Sequence, residues 1–92
     1  MKKEIEFSGR FKKDLKRYRH KPQQLNALEV ILNYLSEGQP IPASYEPHYL
    51  QGQYEGCMEC HVQNDFLLIW FDTEHDIIKL LRLGTHSELF GR

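Results

Sequence analysis

Apolar and polar positions alternate or recur with a clear period along most of the chain. Residues 3 to 7, KEIEF, alternate and predict a short strand. Ser8 then stands where an N-cap belongs, ahead of a helix from about Gly9 to Arg19. Phe11, Leu15 and Tyr18 form its single apolar stripe. Pro22 suits the first turn of a second helix, because a first-turn residue needs no N–H partner. Leu25, Leu28, Leu32 and Leu35, with Ile31 beside them, keep helical spacing up to Gly38, which fits a C-cap.

The pattern then breaks. QPIPASYEPHYLQGQYEG is the one long irregular stretch, and a loop of that length in a small domain often carries function. Three strand-like runs follow. CMECHV alternates, with Met58, Cys60 and Val62 on one face and Cys57, Glu59 and His61 on the other. FLLIWF is apolar on both faces and predicts a central strand, and IIKLLRLG predicts the last. The turns QNDF and DTEHD carry Asn/Asp turn chemistry. The fold class expected is α+β: an N-terminal strand, two antiparallel helices packed on one face of an antiparallel β-meander, and a short C-terminal helical turn. Ninety-two residues allow one modest core, hence a single domain over 1–92.

Composition narrows the class. No apolar run approaches the roughly 20 residues that span a bilayer, and the N-terminus lacks the apolar segment of a secretory signal. A cytoplasmic protein without membrane association is expected. Charge is uneven: residues 1–21 hold nine Lys/Arg against three Asp/Glu, the remainder three against ten, for a net −1. The basic helix around Lys12, Lys13, Lys16 and Arg17 reads either as a solvated face or as a surface for a nucleic-acid backbone.

The segment CMECH has the spacing of a haem attachment site, a redox pair or half a zinc site. Strand alternation argues against all three. Cys57 and Cys60 point to opposite faces, no second cysteine pair is present, and Cys60 reads as a small core hydrophobe. A weaker alternative is a metal site from His48, Cys57 and His61.

His61 is the more interesting member. Folding the meander about the turn at 73–76 pairs Asp72 with Ile77 and places Leu67 near Arg82. His61, Asp65, Arg82 and His86 then converge at one edge of the sheet. Imidazoles can give or take a proton near neutrality, and a guanidinium can hold a phosphate. With a basic helix and an aromatic such as Phe90 to stack on a base, the set suits RNA cleavage by 2′-hydroxyl attack, without need of a metal or other cofactor.

PHYLQGQYEGCMECHVQNDFLLIWF and LLRLGTHSELFG, together with the N-terminal FSGRFKKD, resemble the YafQ branch of the RelE-type bacterial toxins over nearly the whole chain. The resemblance implies a RelE-like fold and a ribosome-dependent endoribonuclease that cuts mRNA in the A site. It implies a cognate antitoxin as partner, with room for a higher-order toxin–antitoxin complex on operator DNA. By position it makes His48, His61, Asp65, Arg82 and His86 catalytic. Phe90 and Phe66 become substrate-contacting rings; Phe66 stands where the best-known relative has Trp. The pI of about 6.5 is low for this family, although the basic N-terminal cluster is kept. A non-cleaving module that binds the ribosome or a partner protein is the alternative.

Overall fold

The structure is a computed structural model that describes residues 2–91. In chain order the elements are β1 (Glu4–Phe7), α1 (Gly9–Lys16), α2 (Pro22–Ser36), β2 (His48–Tyr49), β3 (Met58–Gln63), β4 (Phe66–Asp72), β5 (Ile77–Gly84) and α3 (His86–Phe90). Short 3-10 turns at Ala43–Tyr45 and Gly52–Tyr54 flank β2, so the stretch expected to be irregular holds an edge strand. The sheet order is β1-β5-β4-β3-β2. The meander β3-β4-β5 is antiparallel, while β1 adds to β5 in parallel, making the sheet mixed. A parallel pair needs a long crossover, and α1, α2, β2, β3 and β4 all lie between these two strands in sequence.

Local signals explain the helix ends. The Ser8 hydroxyl accepts from the Phe11 N–H at 3.0 Å. Pro22 opens α2, and Gly38 just beyond its end adopts φ 69°, the left-handed conformation that favours glycine. Helix α1 stops at Lys16 rather than Arg19. Arg17 and Tyr18 instead bond back to Asp14 and Leu15 in tight i to i−3 turns.

The main core lies between the helices and one sheet face. Phe11, Leu28, Ile31 and Leu35 meet Cys60, Val62, Leu68, Trp70, Leu80 and Leu83 there. Phe66 joins this core with its ring 4.6 Å from that of Tyr18, and it is only 5 % exposed. The expectation that Phe66 stacks on a substrate base is therefore corrected, because a ring enclosed by protein has no free face. The opposite sheet face is also covered. Cys57, Leu67, Ile69 and Leu89 form a smaller cluster, roofed by Leu50, Tyr54 and Leu81. The two cysteines thus sit in separate clusters on opposite faces, and both thiols are free. No helix among the described residues is long and apolar enough to cross a membrane.

The register of the meander differs from the one expected. Asp72 pairs with Ile78, Ile69 with Arg82, and Leu67 with Gly84, not with the neighbourhood of Arg82. Between Ile69–Arg82 and Trp70–Leu80 the register shifts by one residue. Leu81 is the extra residue of this bulge, and it packs into the smaller cluster. The bulge moves the core-facing positions of β5 from Ile78 and Leu80 to Leu83, a one-residue change of phase that counting back from the turn does not include, so turn counting misplaces Arg82.

Candidate active site

Residues paired across a sheet project from the same face. His48 pairs with Glu59, Glu59 with Ile69, and Ile69 with Arg82, so these four form one row across the smaller-cluster face. His61, Leu67 and Gly84 form the next row. The β3–β4 turn carries Asp65 beyond that row. Helix α3 follows Gly84 directly, and this delivers His86 to the same rim.

Asp65 and His86 are the tightest pair on the rim. One carboxylate oxygen, Asp65 Oδ1, receives both the His86 backbone N–H at 3.0 Å and the ring Nδ1 at 2.9 Å. These two hydrogen bonds hold the Asp65 carboxyl below its ordinary range. An ionised carboxylate only accepts, so Nδ1 carries a proton, and in the neutral ring Nε2 keeps its lone pair. His86 Nε2 makes no hydrogen bond among the described residues. Helix α3 is fixed by a capping box: the Thr85 hydroxyl accepts from the Glu88 N–H at 3.1 Å, and Glu88 accepts from the Thr85 N–H at 2.9 Å. Glu88 also accepts from the Tyr18 hydroxyl at 2.7 Å. That contact and burial push the Tyr18 phenol up, burial being the larger cause.

The His61 ring centre lies 6.1 Å from that of His86. Its Nδ1 donates to the Asn64 carbonyl at 3.2 Å, so Nε2 is again the outward nitrogen. The Glu46 carboxylate lies 3.7 Å from that Nε2. His48 is held differently, for both of its nitrogens are engaged. Nδ1 donates to the Glu46 carbonyl at 2.8 Å, and Nε2 meets Glu59 Oε1 at 3.1 Å. Two imidazoles therefore present a working nitrogen on the rim, and the third is locked. Among the described residues no three His, Cys, Asp or Glu side chains are grouped to hold a metal ion. His48, Cys57 and His61 accordingly form no ligand set.

Arg82 is held within the protein and forms no hydrogen bond with the histidines among the described residues. It is 6 % exposed. Its Nε donates to Asp14 Oδ2 at 2.8 Å, and its terminal nitrogens reach Asp14 Oδ1, the Tyr54 hydroxyl and the Glu88 carbonyl at 3.3 to 3.5 Å. The Asp14 and Tyr54 contacts raise its already high pKa against the opposing effect of burial. Asp14 also accepts from the Leu83 N–H at 2.9 Å. Strand β1 ends opposite Leu80, so Asp14 supplies the partner that the edge of β5 would otherwise lack. Phe90 is half-exposed and sits 6.0 Å from the His86 ring and 6.2 Å from that of Tyr54. Lys12, Lys13 and Lys16 on α1 and Arg17 at its C-cap are exposed.

Asp14, Glu46, Tyr54 and Glu59 are the members of this network that pattern reading missed. Asp14 had a signal: it falls on the same helical stripe as Phe11, Leu15 and Tyr18, where a carboxylate needs a buried partner. Glu46 and Tyr54 depend on the course of the loop, which has no period to read, whereas Glu59 lies on β3, where alternation puts it on the His61 face but does not reveal its partner.

Comparison with known proteins agrees with this architecture. Residues 3–91 match the family described as "Bacterial toxin of type II toxin-antitoxin system, YafQ". The chain is similar to the mRNA interferase toxin YafQ of Escherichia coli K12, with 35 % identity over 92 residues covering 99 % of each chain. Its fold matches the crystal structure of YafQ from E. coli BL21(DE3) with a TM-score of 0.87 and 34 % identity, over 97 % of this chain and 99 % of that one. It also matches YafQ in the E. coli DinJ–YafQ toxin–antitoxin complex, with a TM-score of 0.85 and 35 % identity, over 99 % and 100 %.

Proposed function

The chain belongs to the YafQ family of bacterial toxins of type II toxin–antitoxin systems, and on that premise we propose that it is an mRNA interferase, a cytoplasmic endoribonuclease that cuts messenger RNA in the ribosomal A site. The observation that carries the chemistry is the pair of outward Nε2 atoms on His61 and His86, with ring centres 6.1 Å apart. That spacing suits one proton acceptor and one proton donor on either side of a phosphate.

With Asp65 on its Nδ1–H, His86 offers a lone pair at Nε2 and takes the proton of a ribose 2′-hydroxyl. The 2′-oxygen bonds to the adjacent phosphorus as the bond to the 5′-oxygen breaks. His61, whose Nε2 faces the Glu46 carboxylate, protonates the departing 5′-oxygen. The products are a 2′,3′-cyclic phosphate and a 5′-hydroxyl, and water can then restore the two histidines to their starting states. Phe90 stacks on a base beside the scissile phosphate. Lys12, Lys13, Lys16 and Arg17 contact flanking RNA backbone. Arg82, bound to Asp14, Tyr54 and the Glu88 carbonyl, acts as a positioning residue that anchors α3 and hence His86. A cognate antitoxin neutralises the toxin, its acidic residues meeting the basic α1 face, and the complex binds operator DNA.

Expression in bacteria with mapping of RNA 5′ ends tests this reading. Growth arrest with new mRNA ends that disappear in His86→Ala supports it. Arrest that survives both His86→Ala and His61→Ala, with no new ends, overturns it in favour of a non-cleaving binding module.

A further inference from the structure

Glu59 is a buried carboxylate that the proposed chemistry does not use. It is 3 % exposed, and its Oε2 has no hydrogen-bond partner. Oε1 has one contact, His48 Nε2 at 3.1 Å. The other nitrogen of that ring, Nδ1, must donate, because the Glu46 carbonyl 2.8 Å away can only accept. The 3.1 Å contact then requires a proton between Nε2 and Oε1; without it two lone pairs would face each other. Whether that proton sits on the ring or on the carboxyl, the pair with it has no net charge. Without it, the pair leaves a negative charge in a buried site.

That charge would matter to catalysis. Glu59 and His61 are two residues apart on β3 and project from the same face, a separation of roughly 7 Å. An unneutralised carboxylate there would oppose the approach of an RNA phosphate to His61. Among the described residues no group except His48 forms a hydrogen bond or ion pair with the Glu59 carboxylate. His48 in turn has no nitrogen free for the substrate.

We propose that His48 serves the site by completing a neutral, proton-sharing pair with buried Glu59, and that Glu59 makes His48 a positioning residue instead of a proton-transfer group. The inference rests on the ribonuclease reading above. It assigns proton exchange with RNA to His61 and His86 alone and gives a function to a carboxylate that stands on no motif.

A double-mutant cycle tests it, with cleavage of mRNA on purified ribosomes as the readout and circular dichroism to verify folding. His48→Gln leaves Glu59 buried and uncompensated, and should lower the cleavage rate by about tenfold to a hundredfold. Glu59→Gln removes the charge and should cost only about threefold. The double variant, in which two amides can hydrogen-bond, should return to within a few-fold of Glu59→Gln. Its pH–rate profile should keep both limbs of the unsubstituted toxin. A double variant as inactive as His48→Gln, or one that has lost a limb of the profile, overturns the proposal and makes His48 a proton-transfer group. If His48→Gln does not fold, Glu59→Gln and the double variant still decide by the same comparison. Absence of cleavage by the unsubstituted toxin would instead sink the ribonuclease reading itself.

Discussion

Arg82 Nε donates to Asp14 Oδ2 across 2.8 Å, joining residues 68 positions apart in a pair whose side chains are 7 % and 3 % exposed. Breaking a buried pair by removing one partner leaves an uncompensated charge. Asp14→Ala should therefore cost about 3–5 kcal/mol, the typical range for such a loss. It also strips the Leu83 N–H of its acceptor. Urea denaturation measures the cost. Combining Asp14→Ala with Arg82→Ala should be less damaging than the sum of the single changes, and simple additivity would show that the pair does not couple α1 to β5.

Asp65 holds His86 through both its ring and its backbone. Asp65→Asn should lower RNA cleavage by about 10²–10⁴-fold, the scale of general acid–base catalysis, while the fold persists. Because the folded-state pKa of Asp65 lies below its ordinary 3.8, the interaction is present above that pH and is lost as pH falls through the lowered value. The same sign holds for Asp72, whose hydrogen bond to Lys3 is the larger cause of its lowering. The contributions of Asp65 and Asp72 to the thermal midpoint should thus be constant near neutrality and be lost only in acid below the ordinary carboxylate range. The difference in midpoint between the unsubstituted protein and Asp72→Asn measures this, and a difference that already shrinks near neutrality would contradict the lowered value.

Gly84 lies against α3. A Cβ built there would collide with the Glu88 carboxylate and approach the Glu88 Cβ at 3.3 Å, at a backbone φ of 154°. Gly84→Ala should cost about 1–3 kcal/mol, as overpacking does. It should also displace Glu88 from its bonds to Tyr18 and Thr85. The marker is a cleavage defect larger than that of Glu88→Gln, which keeps the space and the acceptor. Equal effects would mean that the glycine is not required for α3 docking.

Phe66 and Phe90 should separate stability from activity. Phe66→Ala removes a buried ring and should cost about 3–5 kcal/mol, seen in denaturation. Phe90 is 43 % exposed, so Phe90→Ala should cost less stability and appear mainly as weaker cleavage. Loss of cleavage in a stable, folded Phe66→Ala protein would contradict the burial of that ring.

Burial pushes the Cys60 thiol up to about 12 and raises that of Cys57 as well. Thiolate is the reactive form. A thiol reagent at neutral pH should label native protein slowly and both cysteines rapidly in denaturant, without an intramolecular disulfide in either the purified or the mildly oxidised protein. Fast native labelling of Cys60 would show that its cluster opens.

Much of the fold was legible because it rests on local periods. The stripes Phe11–Leu15–Tyr18 and Leu28–Ile31–Leu35, the Ser8 cap, Pro22 and Gly38 each act within a few residues of themselves. The apolar run of β4 could only be a central strand, since both of its faces needed cover. The split of Cys57 from Cys60 follows from alternation in the same way. By contrast, the parallel addition of β1, the bulge at Leu81 and the two-residue strand β2 depend on partners distant in sequence. No pattern within a segment encodes them.

By itself, then, the sequence determined the α+β plan, the placing of His61 and Asp65 at one strand end and the burial of Cys60, since side-chain periodicity is a local property of the backbone. Tertiary structure alone decided which polar groups meet. It brought His86 back onto Asp65, bound Arg82 to Asp14, enclosed Phe66 and paired Glu59 with His48. Such pairings depend on register, and a one-residue bulge is enough to change it for every residue beyond the bulge.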